Sequence, residues 1–499
     1  MVFSVPFFLT VFLPMVLVGC WLLGWMERRW CVWRGVPFTW SGVNFLLLLF
    51  SLLFYFWGEG WGVGWLIASV LFNALCGRMV ASRESPGWRK GWLGFGVAGN
   101  LLFLGWFKYA NFAVRSLNLL PGLEFQGPGV LLPLGISFYT FQAMSYVIDV
   151  YRREVEPARS LTDFACYVTM FPQLVAGPIV RYADVAARLQ KREIRLEQVA
   201  SGWKRFLCGL SKKVLLANTL GEMADAVWGV VEQGHAVPAS MAWIGLACYA
   251  LQIYYDFSGY SDMAIGLGRM LGFEFLENFR HPYSALSIRD FWRKWHLSLS
   301  TWFRDYLYIP LGGNRISHVR TGVNCLVVFG LCGLWHGASA MFLLWGLWHG
   351  LFLMAERILI RPDHRRTQGG RPSPWRYLGL GVAHVYALLV VLAGWVFFRS
   401  VTYADAALFF QSLAGLGHVT REARVLWLEL SPKVVLAMLA GILVAYPVVP
   451  WARRHIRRWC ATAPWLPELG EWLVLTLLGL LALVMVAGGA YNPFIYFRF

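Results

Sequence analysis

The chain is 499 residues long, 58% hydrophobic and 17% aromatic, with 14% charged residues and a mean hydropathy of +0.53. Soluble domains carry about 25% charged residues and fewer apolar ones, so this composition excludes a soluble multidomain protein and identifies an integral membrane protein. The formal net charge of +17 does not mark a nucleic-acid-binding module, because the basic residues punctuate apolar runs instead of gathering in one polar domain.

A helix crossing about 30 Å of hydrocarbon needs roughly 17–25 apolar residues. Such runs predict spans near 3–25, 42–57, 61–76, 92–108, 130–150, 205–232, 241–266, 319–333, 338–360, 376–398, 433–450 and 469–488. The first has no basic stretch before it and no small-residue cleavage site behind it, so it reads as a retained helix. The segments 28–41, 77–91, 151–205, 269–320, 361–376 and 451–460 hold most of the 44 Lys and Arg, which makes them cytoplasmic and turns both termini outward. Residues 361–376 read as a cytoplasmic linker, and RRHIRR at 453–458 as a topology signal resting on anionic head groups. The nine cysteines are scattered without a C-x-x-C pair and read as small buried hydrophobes. No fixed-period repeat is visible, and 1–499 reads as a single membrane domain with its central motif region at 281–350.

Two segments depart from the spanning pattern. Ser287–Pro310, SIRDFWRKWHLSLSTWFRDYLYIP, is too charged to cross a bilayer, yet Ile288, Phe291, Trp292, Trp295, Leu299, Trp302, Phe303 and Tyr306 share one face of a helix, with Arg289, Arg293, Ser300 and Arg304 on another. One amphipathic helix, interfacial or re-entrant, is predicted, with His296 on its apolar, inward face. In FPQLVAGPIVRY, Phe171 to Tyr182, two prolines and a glycine interrupt an apolar run; non-helical backbone at membrane depth predicts a cavity nearby.

His336 stands in GLWHGASAMFLLWGLWHG, between one span and the next, with Gly330, Gly333 and Gly337 around it. Glycines four residues apart let another helix backbone come close, which accounts for the glycines but not for the imidazole. An ionisable group at membrane depth is costly and rarely faces lipid, and imidazole is the side chain best suited to take a proton near neutral pH. His336 is therefore either a general base or a core histidine bonded to a carbonyl. For His349 the core reading is the stronger, and His281, His318, His364 and His455, in basic loops, are expected to be solvated. No G-x-S-x-G, Walker loop, H-E-x-x-H or paired-carboxylate signal is present.

The stretch HPYSALSIRDFWRKWHLSLSTWFRDYLYIPLGGNR, His281 to Arg315, followed by GLWHGASAMFLLWGLWHG, resembles the membrane-bound O-acyltransferase (MBOAT) family, in particular its alginate O-acetylating branch. LLPLGISFYTFQAMSYVIDVYR, FPQLVAGPIVRY, YYDFSGYSDMAIGLGRMLGFEFLENF and the C-terminal NPFIYFRF extend the resemblance along nearly the whole chain. It implies an all-α polytopic fold, a ring of about 11–12 tilted transmembrane helices plus re-entrant or interfacial helices around a central tunnel. It also implies that His336, of the W-H-G motif, and His296, of the R-x-W-H-x-S motif, are catalytic, with Trp335, Trp295, Arg293, Ser300 and Asp305 as substrate-binding residues and no metal.

The activity implied is transfer of acetyl groups from a cytoplasmic thioester donor, acetyl-CoA or another acetyl thioester, across the bacterial inner membrane to an exported polysaccharide. The implied partners are a periplasmic SGNH-type acetyltransferase, a polysaccharide export complex, an acyl carrier and the lipid bilayer, with no nucleic acid and no bound cofactor. Basic residues of 181–213 and 289–315 would steer a phosphate-bearing donor, or simply set topology. D-alanyl transfer to teichoic acid and acetylation of another exopolysaccharide such as cellulose remain alternatives. A transporter is the reading from a different class; it predicts inverted repeats and charges inside the spans, neither evident here.

Overall fold

A chain embedded in lipid must satisfy its own backbone polar groups, and a helix does so within one segment. The computed structural model describes residues 3–36, 38–118, 120–122, 124–359, 374–419, 421–463, 465–489 and 495. Among them the regular structure is helical, apart from one isolated bridge between Ala236 and Val419. Most of the 361–376 linker and of the C-terminal NPFIYFRF lies outside the described residues.

Seven helical segments among the described residues are long and apolar enough to cross a membrane, or eight if a bent pair at 432–459 is one span. This is fewer than the twelve apolar runs, for identifiable reasons. Ser41–Ala81 is one helical run, but Gly60, at φ +56° and ψ −131°, divides it into Ser41–Glu59 and Val63–Ala81, the two runs expected there. Pro86–Leu117 and Ala239–Met270, 32 residues each, occupy expected positions but carry more polar residues. Ile136–Arg152 has only 17 residues and is almost wholly buried in protein.

The chain divides into two compact units. The first comprises residues 1–210, 259–277 and 486–488. In it Leu13–Arg34 packs on Ser41–Glu59, and Val63–Ala81 packs on both Pro86–Leu117 and Ile136–Arg152. The 171–182 break is buried here, and side chains satisfy two of its backbone groups. Ser51 Oγ accepts from the Phe171 amide, and Tyr167 donates to the Val180 carbonyl at 3.0 Å. Several basic residues expected to steer a donor are also tied up in this unit. Arg205 pairs with Asp262 and Glu277, Arg188 pairs with Glu274, and Arg192 donates to Asn44 with its guanidinium between the Trp40 and Phe273 rings.

The second unit comprises residues 211–258, 278–485 and 489–499. Two antiparallel helices dominate it, α1 (His318–His336) and α2 (Ala340–Leu359), followed by α3 (Pro374–Arg399) packed on α2. Glycines set the α1–α2 spacing. A Cβ on Gly333 would strike the Phe342 carbonyl, and one on Gly346 would strike the Phe329 carbonyl. A buried ion pair, unanticipated from sequence, lies in the same unit. Lys213 Nζ, on the π-helical turn Lys212–Asn218, is 2.6 Å from Asp256 Oδ1, with side chains 3% and 2% exposed. Charge is thus present inside the helical core, but it is neutralised there.

Candidate active site

The segment expected to be one amphipathic helix is broken. Short helices run over Ile288–Trp292 and Leu297–Phe303, and a π-helical turn follows over Arg304–Tyr308. Between the first two the backbone turns at Arg293–His296, and His296 takes the left-handed conformation, φ +44° and ψ +57°. Most of the predicted apolar face survives the break: Ile288, Phe291, Trp292, Trp295, Leu299, Trp302 and Phe303 are all buried, and Tyr306 is half-buried. His296 points inward as expected, 1% exposed, but from a turn and not from a helix.

Asn278 holds that turn. Its Oδ1 accepts from the Ser298 amide at 3.1 Å and the Ser298 hydroxyl at 3.0 Å, and lies 3.2 Å from His296 Nδ1. Because the Ser298 amide can only donate, the Asn278 atom is its carbonyl oxygen, and Nδ1 of His296 must carry the hydrogen. Nε2 is left as the lone-pair nitrogen. Burial pushes the His296 pKa down to about 3, so the ring is neutral at physiological pH. An unfolded chain would bind this proton below about pH 6.5 while the folded site refuses it, so the contribution to stability is complete above pH 6.5 and declines as pH falls from 6.5 towards 3. His296→Gln removes that term. Its melting temperature should fall less steeply than the wild type's over this window, measured in one detergent.

His336 is the last residue of α1, at the turn into α2, and is 4% exposed. Aromatic rings surround it edge-on: Trp335 at 4.9 Å, Trp345 at 5.0 Å and Phe398 at 5.2 Å between centroids. The Trp335 ring is also 6.3 Å from the His296 ring, whose other neighbours are Phe257 at 4.5 Å and Phe279. Trp335 therefore touches both histidines.

Trp295 lies in the adjoining cluster with Phe279, Phe291 and Trp395. Arg293 is exposed, Ser300 donates to the Trp295 carbonyl at 3.4 Å, and Asp305 pairs with the neighbouring Arg304. These three are not among the rings about His296 and His336.

Beside His336 a cleft of about 540 Å³ opens, lined in part by Phe398, Phe342, Ser339, Tyr249, Gln252 and Arg399. Arg399 is bridged to Asp225 at 3.0 Å and Glu232 at 2.8 Å. Gln252 is 3% exposed, and its side-chain oxygen has no hydrogen-bond partner among the described residues.

Sequence reasoning missed three contributors. Asn278 sits in the charged loop sequence EFLENFRH and Gln252 in an apolar helix, neither marked by a motif of its own, and Glu356, four helical turns from the W-H-G turn, accepts from the Ile288 and Arg289 amides at the start of the Ile288–Trp292 helix. His349 is fully buried against Trp292 and Trp345, and neither ring nitrogen has a hydrogen-bond partner among the described residues. Among these residues no group of three His, Cys, Asp or Glu side chains is placed to hold a metal.

Residues 153–402, which include both histidines, match the model of MBOAT, the membrane-bound O-acyltransferase family. The chain is 39% identical to a probable alginate O-acetylase AlgI of Pseudomonas putida over 100% of both proteins. It is 42% identical to a probable alginate O-acetylase AlgI of Azotobacter vinelandii over 80% of this chain and 75% of the relative. A peptidoglycan O-acetyltransferase of Helicobacter pylori is 31% identical over 85% of this chain and 82% of its own. The chain belongs to the membrane-bound O-acyltransferase family. It is an O-acyltransferase and a multi-pass membrane protein, of the inner membrane in a bacterial cell.

Proposed function

We propose that this enzyme takes acetyl groups from a cytoplasmic thioester, acetyl-CoA or another acetyl thioester, and passes them across the inner membrane for O-acetylation of an exported polysaccharide, alginate. The observation that carries this reading is the pair of buried histidines sharing the Trp335 ring, beside a polar-walled cleft; the charge asymmetry of the loops supports an outward-facing mouth. The full-length likeness to alginate O-acetylases supports the polymer.

In the proposed step, His336 removes the proton of the acceptor hydroxyl as its oxygen attacks the thioester carbonyl carbon. The tetrahedral intermediate collapses with cleavage of the C–S bond, and the departing thiolate takes the proton back from the imidazolium. Electrons and protons balance without an oxidant or reductant.

His296 has a complementary part. With its hydrogen committed to Asn278 and its ring neutral, it has no proton left to donate to a thioester carbonyl. Its Nε2 accepts a hydrogen bond from an O–H or N–H group in the chamber, and so orients that group. The cleft suits a hydroxylic acceptor: the Gln252 carbonyl oxygen and Ser339 line it, and the Asp225–Arg399–Glu232 cluster makes its wall polar.

On the cytoplasmic side, the exposed Arg289 and Arg293 supply positive charge for a phosphate-bearing donor or an acyl carrier. A periplasmic SGNH-type acetyltransferase and the export complex would complete delivery. The test is reconstitution into vesicles with labelled acetyl thioester on the cytoplasmic face. Label should reach alginate, or a periplasmic acetyltransferase, on the opposite face. Label that never leaves the donor side overturns the proposal.

A further inference from the structure

The helix Pro432–Ala445 is apolar, but two residues later the chain bends by 71° into α4 (Val448–Trp459). At 100° per residue, Val448, Trp451, Ala452, Ile456 and Trp459 share one side of α4, and Arg453, Arg454, Arg457 and Arg458 share the other. No residue of α4 is buried; Trp451 is 55% exposed, Ile456 47% and Trp459 85%. Arg453 pairs with Glu471 at 2.7 Å, whereas Arg457 and Arg458 have no ion pair among the described residues. Among the described residues, protein therefore neither covers the apolar side nor neutralises Arg457 and Arg458.

An environment that satisfies both sides at once is apolar below and anionic above, which is the head-group layer of an acidic leaflet. Hydrocarbon would accommodate only the first side and water only the second. The charge count places α4 on the cytoplasmic face, where such a leaflet lies.

The bend that aims α4 is tied to the central motif. The Ala445 carbonyl lies 3.2 Å from His281 Nδ1. His384 Nδ1 is 2.9 Å from the Ala285 carbonyl, which only accepts, so Nδ1 donates there and Nε2 accepts from the Tyr446 hydroxyl at 2.8 Å. His281 is half-buried and bonded, not solvated as its basic loop suggested. Two consecutive residues at the entry to the bend are thus tied to residues 281–285, Ala445 directly and Tyr446 through His384, upstream of the turn that holds His296.

We propose that α4 is a binding site for anionic phospholipid head groups of the cytoplasmic leaflet, and that its occupancy steadies the 281–285 segment through the Ala445–Tyr446 bend. This goes beyond acyl transfer and does not depend on it. The experiment uses the full chain in nanodiscs of phosphatidylcholine with or without phosphatidylglycerol, reading retained lipid by mass spectrometry and amide exchange at 281–285. Wild type should retain phosphatidylglycerol preferentially. The triple variant Arg454→Gln, Arg457→Gln, Arg458→Gln should lose on the order of 10²-fold in that preference, since each basic residue near an acidic surface contributes about fivefold. The matching Arg→Lys variant should keep it.

Amide exchange at 281–285 in wild type should slow when phosphatidylglycerol is added. Equal lipid retention by wild type and the Gln variant, loss in the Lys variant as well, or exchange indifferent to lipid charge would each overturn the proposal. So would saturable binding of polyglutamate in phosphatidylcholine discs with no gain from phosphatidylglycerol, which would assign the surface to an acidic protein.

Discussion

His336→Ala is expected to lower acetyl transfer by about 10² to 10⁴-fold, the range over which a positioned general base contributes, with the protein still inserted and extractable in wild-type amounts. The ring is 4% exposed and held edge-on by Trp335, Trp345 and Phe398, so its loss opens a small void without uncovering a charge. The measurement is acetyl content of polymer from cells carrying the variant, normalised to protein in the membrane. A His349→Ala control separates chemistry from packing, because His349 is equally buried in the same aromatic cluster yet lies over two helical turns further along. If both variants lose melting temperature equally but only His336→Ala loses transfer, the imidazole at 336 acts in the reaction. Undiminished transfer by His336→Ala would leave the protein without its proposed base.

The second large effect concerns stability. Lys213 and Asp256 are almost entirely buried, 2.6 Å apart, and the second carboxylate oxygen of Asp256 accepts from the Ile495 amide at 2.8 Å. Removing one partner strands the other charge, and such losses cost about 3–5 kcal/mol. Lys213→Met alone should therefore destabilise strongly, and Asp256→Leu more so because it also releases Ile495. The double variant Lys213→Met, Asp256→Leu should recover much of the loss, since two apolar side chains of similar volume often replace a buried pair without net penalty. Thermal unfolding of the four proteins in one detergent gives the cycle. If the double variant is as unstable as the sum of the singles, the two charges are not a coupled pair.

What the sequence could and could not disclose follows from the range of the interactions. Apolar runs are local, so twelve segments were locatable, and the W-H-G histidine stood out because it stands between two of them in apolar sequence. The face of Ile288, Phe291, Trp292, Trp295 and Leu299 was also legible, since it depends only on spacing. The break at His296 was not. It is made by Asn278, eighteen residues upstream, and a helical periodicity carries no trace of a carbonyl arriving from elsewhere in the chain. Lys213 lies in a Lys-Lys pair that reads as a topology signal, and its partner at 256 lies in a distant helix. The 171–182 break was legible from its prolines and glycine, but nothing in its own residues announces Ser51 and Tyr167 as partners.

The glycines where α1 and α2 meet leave the hairpin without slack. Gly333 faces the Phe342 backbone and Gly346 faces the Phe329 backbone, so one added methyl at either site acts as a wedge and levers the two rods apart. His336 rides at the tip of one rod, where a small splay is magnified into travel of the ring. An ångström of misplacement at a reacting centre costs on the order of 10²-fold in rate. Two hydrogen atoms, one on each glycine, would thereby govern the alignment of the chemistry.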